Sequence, residues 1–336
     1  MLAEIREAPE AVSRQAAALA GPLAELVTRL RREPPRVAVT CARGSSAHAA
    51  TFGKHLIERH LGIPVAAAAP NIATVYGRSL RLDGQLFLAI SQSGRSDDLV
   101  EQMRRARTAG AVTAALVNAT DSPLAAASDI VLPMQAGPER SVAATKTFIA
   151  SAAALLRLAT LWADDATMAA SLDRLPERLA AAAALDWSEA LEQLQGAASL
   201  VAIGRGPTLA IAREAALKLK ETCNVHAEAF SGAEFLHGPV ALVDELYPIL
   251  MFVPSDAAQS GLRQLAADLR GKGASLLVAE SGPATRGRLP SLDPDHADAD
   301  AICQIQSFYG MVERLAALRG VDVDRPRHLQ KVTRTR

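Results

Sequence analysis

At 336 residues the chain exceeds the commonest single-domain size, which points to two domains or one large α/β domain. Its 49% hydrophobic and 21% charged residues supply a core and exclude a disordered tail protein. Lys+Arg and Asp+Glu balance at 36 each and aromatics are 4%, so no basic field or stacking platform exists for nucleic acid or an anionic membrane, and any anionic ligand must be held locally.

In chain order, residues 1–32 read as an amphipathic helix ended by Pro34-Pro35. Glu4, Arg6, Glu7, Glu10 and Arg14 leave no apolar signal-peptide core in it. Val37 to Cys41 is a short apolar strand leading into Arg43-Gly44-Ser45-Ser46 and a helix through about Leu61. The unit repeats as Leu86 to Ile90, the loop Ser91-Gln92-Ser93-Gly94-Arg95-Ser96, and a helix through about Thr108. Val112 to Val117 and Asp129 to Leu132 read as further strands. The stretch 148–163 is the most apolar, but Arg157 interrupts it and it is short and Ala-rich for a bilayer span. An Ala-rich helical region follows to about Leu185, and the strand-loop-helix pattern restarts at Leu200 to Ile203, Ile249 to Val253 and Ser275 to Val278. Strands alternating with helices indicate parallel sheets covered on both faces. Gly44 laid on Gly206 and Ser93 on Ser255 share one offset of 162, so the chain reads as two tandem copies of a doubly wound α/β unit. Cys41, Cys223 and Cys303 are far apart with no C-x-x-C pair, which argues for buried small hydrophobes over a disulfide framework or zinc ribbon. The whole reads as a soluble cytoplasmic protein.

In doubly wound folds ligands bind beyond the carboxyl ends of the strands. Ser91 to Ser96 lies there, with three hydroxyls, an amide and a glycine just before a helix whose free N–H groups and dipole favour an anion. This describes a phosphate cradle made without lysine. Ser96 also fits a plain helix N-cap, with Asp98 and Glu101 complementing the dipole. Gly44-Ser45-Ser46 at the neighbouring strand end is a second source of donors.

A third element is the helical stretch 211–221, where Glu214, Lys218 and Glu221 share one face. An exposed Glu–Lys pair of little consequence would have the same spacing. The following stretch carries His226, Glu228, Glu234 and His237 and reads as a polar, Gly-containing loop. Carboxylates on a helix followed by two histidines suggest an acid/base site. Zinc is the competing explanation, yet H-x-E followed by E-x-x-H matches no set of ligands on one helix face, so no metal is expected. His48, His55 and His60 read as solvated or packing residues.

Seven segments in order now carry a resemblance: Gly44 to Ala49, Ile90 to Gly94, Gly137 to Lys146, Glu214 to Glu221, His226 to Ala229, Glu234 with His237-Gly238-Pro239, and Asp324 to Lys331. The chain resembles tandem sugar isomerase (SIS) domain proteins. It is similar over nearly its whole length to the isomerase half of glucosamine-6-phosphate synthase, and to stand-alone SIS-type glucosamine-6-phosphate deaminases. The resemblance implies an N-terminal helix at 1–34, a first SIS domain at 35–185, a second at 190–324 and a catalytic tail at 325–336. It implies that Ser46, Ser91, Gln92, Ser93 and Ser96, with Ser45 beside them, hold a phosphate. Glu139, Val142, Ala144 and Thr145 would line the sugar. Glu221 would move a proton between C1 and C2 with help from Lys218 and Glu214, His237 would open the ring from the neighbouring subunit of a homodimer, and Lys331 would approach the carbonyl. Arg95, where the family often has an acid, and Leu236, where the synthase has lysine, depart from the pattern.

A glutamate shielded from water suits moving the weakly acidic C2 hydrogen of an open-chain 2-amino sugar phosphate. The resulting ketimine needs only water to release ammonia. The synthase's glutamine-hydrolysing domain has no counterpart in these 336 residues, so the expected direction is deamination of glucosamine-6-phosphate to fructose-6-phosphate, without cofactor. Plain aldose-ketose isomerisation, deglycation of a related amino-sugar phosphate and non-catalytic phosphosugar sensing stay open.

Overall fold

The computed structural model describes residues 1–331. In chain order the elements are α1 (Leu2–Arg32), β1 (Ala38–Ala42), α2 (Gly44–Leu61), β2 (Val65–Ala67), α3 (Asn71–Thr74), β3 (Leu86–Ser91), α4 (Asp97–Thr108), β4 (Val112–Val117), α5 (Pro123–Ala127), β5 (Ile130–Pro133), α6 (Lys146–Ala163) and α7 (Ala166–Ala183). They continue with α8 (Ser188–Leu194), β6 (Ser199–Gly204), α9 (Thr208–Cys223), β7 (His226–Ser231), α10 (Gly232–Leu236), a 3₁₀ turn at Pro239–Leu242, β8 (Pro248–Phe252), α11 (Gln259–Gly271), β9 (Ser275–Glu280), β10 (Arg288–Pro290) and α12 (Ala297–Leu318). Two units separate: a first with residues 10–139 and 146–170 and the segment from Gln330, and a second with residues 1–9, 140–145 and 171–329.

The first unit holds a five-stranded sheet in the order β2-β1-β3-β4-β5, every pair parallel. All six residues of β3 are buried, as a strand covered on both faces by helices requires. One face packs Val39, Phe87, Leu99, Met103, Val117 and Leu124 into a core between the sheet and α4 and α5. The α1 helix is fastened by Gln15, fully buried, whose amide donates to the carbonyls of Met134 (2.8 Å) and Ala150 (2.9 Å).

The second unit repeats the topology. Its sheet runs β10-β9-β8-β6-β7, also parallel throughout. Equivalent strands start at 38 and 199, 65 and 226, 86 and 248, and 112 and 275, each within one residue of the register inferred from the two loops. Its core gathers Val201, Phe235, Met251, Leu262, Leu269 and Val278.

The reading of residues 224–239 as a loop is corrected here. His226–Ser231 forms β7, an edge strand paired with β6. His226 and Glu228 are exposed while Ala227 between them is buried, the period-two alternation of a strand with one face in solvent. Of the described helices, α6 alone is long and apolar enough to cross a membrane, and 83% of it is buried inside the protein.

Candidate active site

In each sheet the strand order switches side between two adjacent parallel strands, β1 and β3 in the first unit and β6 and β8 in the second, and ligands in such folds collect at the carboxyl ends of those strands. The loop Ser91–Ser96 leaves β3 there. Ser91 Oγ accepts from the Gly94 amide (3.1 Å) and Ser93 Oγ from the Arg95 amide (3.4 Å), so the loop curls around its own hydroxyls. Gly94 has φ 62°, and a Cβ on it would lie 2.0 Å from Ser122 Oγ, so only glycine fits. Ser96 occupies the N-cap position of α4, but its side chain makes no capping bond, so the plain-cap reading does not account for its hydroxyl. Ser45 and Ser46 lie half-buried in the first turn of α2, after the adjacent strand β1, where helix amides have no partner within the helix.

The same unit brings together Glu139 and Lys331. The Glu139 side chain is fully buried; its carboxylate accepts from the Thr147 amide (3.1 Å), the Thr147 hydroxyl (2.6 Å) and Lys331 Nζ (3.1 Å). Lys146, also fully buried, donates to the Pro138 carbonyl (2.6 Å). The rest of the C-terminal tail, residues 332–336, lies outside the described residues.

In the second unit α9 carries the acid/base candidates. Lys218 is fully buried, its Nζ 3.5 Å from Glu214 Oε1 and hydrogen-bonded to Glu221 Oε2. The Glu214 side chain is fully buried and accepts from the Tyr309 hydroxyl at 3.1 Å, whereas Glu221 keeps 22% of its side chain exposed. The exposed-pair reading therefore fails: an ammonium with no access to water is shared by two carboxylates, one buried and one partly exposed. Such a group is tolerated only because it is paired. Val142 and Ala144 are half-buried and Thr145 is buried in the segment 140–145, which Glu4 secures by accepting from the amides of Arg140 and Ser141. His237 ends α10, exposed, with no side-chain hydrogen bond among the described residues. Glu234, His226 and Glu228 are likewise exposed and do not join the Glu214–Lys218–Glu221 cluster.

The second copy of the serine loop is closed on itself. Ser255, equivalent to Ser93, donates to Asp300 Oδ2 at 2.6 Å, and the Thr208 hydroxyl donates to the Phe252 carbonyl at 2.7 Å. Gly204 admits no Cβ, since Thr208 O would lie 2.2 Å away. Burial pushes the Asp300 carboxyl above its ordinary value, opposed by its bonds from Ser255 and Arg178. A carboxylate from α12 thus binds Ser255, whereas its equivalent Ser93 accepts from an amide of its own loop.

Sequence reasoning missed Tyr309, 95 positions from Glu214, and the ion pair of Arg43 with Asp98, 55 positions apart. No local pattern signals either, because each is made by elements that meet only on folding. Among the described residues no cluster of three or more His, Cys, Asp or Glu could hold a metal ion.

Two parallel five-stranded α/β sheets of identical strand order, each reversing at its centre, define a tandem doubly wound protein. The SIS domain model matches residues 33–161 and 193–279, and the chain belongs to the SIS domain family. A protein of Silicibacter pomeroyi, described provisionally as a phosphosugar isomerase, is 46% identical with a TM-score of 0.90, over 96% of this chain and 98% of that one. The C-terminal domain of glucosamine-fructose-6-phosphate aminotransferase from Francisella tularensis is 29% identical with a TM-score of 0.82, over 97% and 98%. The isomerising glutamine–fructose-6-phosphate aminotransferase of Zymomonas mobilis is 33% identical over 314 residues, 86% of this chain and 50% of that protein. The chain thus spans about half the length of the curated relatives it matches.

Proposed function

We propose that the chain is an enzyme acting on a sugar phosphate, an isomerising deaminase that converts glucosamine-6-phosphate and water to fructose-6-phosphate and ammonia. The observation that carries this reading is Glu221, a partly exposed carboxylate held by a buried lysine that a second, sealed carboxylate balances. Such a group can take a proton at one carbon and return it at the next without leaving its seat. On the open-chain substrate Glu221 removes the C2 proton, giving an enolamine, and delivers it to C1, giving a ketimine at C2. Water adds to that carbon, the C–N bond breaks and ammonia departs. Ser45, Ser46, Ser91, Gln92, Ser93 and Ser96 hold the phosphate, Glu139, Val142, Ala144 and Thr145 line the sugar, and Lys331 approaches the carbonyl. His237, exposed and next in sequence to the exposed Leu236 (55%), serves the site of a second copy in a homodimer. Isomerising relatives such as the Zymomonas mobilis aminotransferase support the C1–C2 chemistry.

The test is to incubate purified protein with glucosamine-6-phosphate and assay ammonia and fructose-6-phosphate together. Equimolar formation of both is expected. Ketose from an aldose phosphate without ammonia would replace this reading with plain isomerisation, and tight binding without turnover would replace it with sensing.

A further inference from the structure

The two hydroxyl-bearing loops of the first unit are tied together by one ion pair. Arg43, immediately before α2, donates from Nε (3.1 Å) and Nη2 (2.5 Å) to Oδ2 of Asp98 in the first turn of α4. Oδ1 of Asp98 accepts from the Leu99 amide at 2.9 Å. The Asp98 side chain is 1% exposed and that of Arg43 51%. Gly44-Ser45-Ser46 follows Arg43 directly and Ser91–Ser96 ends just short of Asp98, so the pair spans the loops themselves. Burial pushes the Cys41 thiol, at the end of β1, up to about 12, with Asp98 raising it further and Arg43 opposing, which places both charges at the strand end where the first loop begins.

The second unit provides an internal comparison. In the register that lays Gly44 on Gly206, Arg205 stands for Arg43 but Ser260 stands for Asp98, and the Arg205 side chain makes no hydrogen bond or ion pair among the described residues. The pair occurs in the unit whose loop hydroxyls Ser91 and Ser93 accept only from amides of their own loop, and is missing where Ser255 is bound by the Asp300 carboxylate. A buried carboxylate beside a phosphate cradle would repel the ligand unless neutralised, and a planar guanidinium converging on one oxygen also fixes the spacing of the two backbones.

We propose that Arg43 and Asp98 are positioning residues for the sugar phosphate: the pair sets the separation of the two loops and cancels the charge Asp98 would present to the phosphate. This rests on the reading that these loops hold phosphate. The test compares Asp98→Asn, Arg43→Ala, the double variant and Ser93→Ala in glucosamine-6-phosphate kinetics, calorimetric binding of inorganic phosphate, and Tm. Asp98→Asn is expected to raise KM and weaken phosphate binding by about tenfold, with kcat within about twofold and Tm near wild type. Arg43→Ala, which leaves Asp98 unneutralised, is expected to bind phosphate more weakly still, and adding Asp98→Asn to it to recover part of the loss. Should Asp98→Asn not fold, the half-exposed Arg43→Lys takes its place, with the same rise in KM. Unchanged KM and phosphate affinity in both single variants, while Ser93→Ala weakens both, would overturn the clamp and leave the site intact. Phosphate affinity untouched by Ser93→Ala would instead overturn the phosphate reading and the clamp with it.

Discussion

Lys331 Nζ lies 3.1 Å from Oε2 of Glu139, a carboxylate 192 positions earlier with no side-chain exposure. The same carboxylate is held by the amide and hydroxyl of Thr147, so the lysine meets an acceptor whose position is already fixed. Glu139→Gln keeps the shape but removes the charge and replaces one acceptor with a donor. We expect kcat/KM to fall by about 10²-fold, as misplacement of a reacting group can cost. Lys331→Ala should fall at least as far, and the double variant little further, because the two act as one unit. Steady-state kinetics of the three variants checks this; additive losses would mean that Glu139 and Lys331 contribute separately.

In the proposed reaction Glu221 has a different task from the serine loops, and substitution can separate the two. Glu221→Gln would remove the proposed proton carrier while keeping an acceptor for Lys218, so turnover should drop by about 10²–10⁴-fold. Fructose-6-phosphate binding, followed by calorimetry, should stay within about threefold, in the range of a lost surface contact. An equal loss of binding would make Glu221 structural.

Much of this arrangement is written locally. The apolar runs of β1, β3, β4, β8 and β9 are buried strands flanked by turn residues, and each was legible for that reason. The strands that were not, β2, β7 and β10, all lie at sheet edges. Two have three residues and the third exposes one face, so their pairing comes from the neighbouring strand and not from their own pattern. The common face of Glu214, Lys218 and Glu221 follows from helical spacing, but whether water reaches it does not. That is decided by α12, which brings Tyr309 to Glu214. The serine loops stand out by composition, while the Arg43–Asp98 pair between them is made by residues 55 apart.

An acid-dependent contribution to stability is expected at Asp295. A hydrogen bond from Arg174 foremost, then the charges of Arg174 and Arg178, outweigh burial and hold its carboxyl below the ordinary 3.8. A carboxyl lowered on folding stabilises the protein above its unfolded pKa, and that contribution is lost as pH falls through the folded value. Asp295→Asn should therefore lower Tm near neutrality, by about 1–2 °C for a pair so open to solvent. The difference should begin to close as pH falls below about 3.8 and vanish below the folded value. Differential scanning at pH 7 and near pH 3 measures it; an equal Tm gap at both would show that the effect is packing and not charge.

The last prediction concerns His237, exposed and without a side-chain hydrogen bond, while Glu221 lies on α9 against a buried lysine. If each site draws its ring-opening histidine from a second copy, homodimers of Glu221→Gln and of His237→Ala are each deficient for different reasons. Mixed under conditions that exchange subunits, half the chains enter heterodimers at equal input, and one of the two sites in each then has Glu221 and His237 intact. Activity should rise from the residual level of either parent to about a quarter of wild type, assayed as ammonia release after exchange is verified with differently tagged chains. Exchange without recovery would place His237 and Glu221 in the service of the same chain.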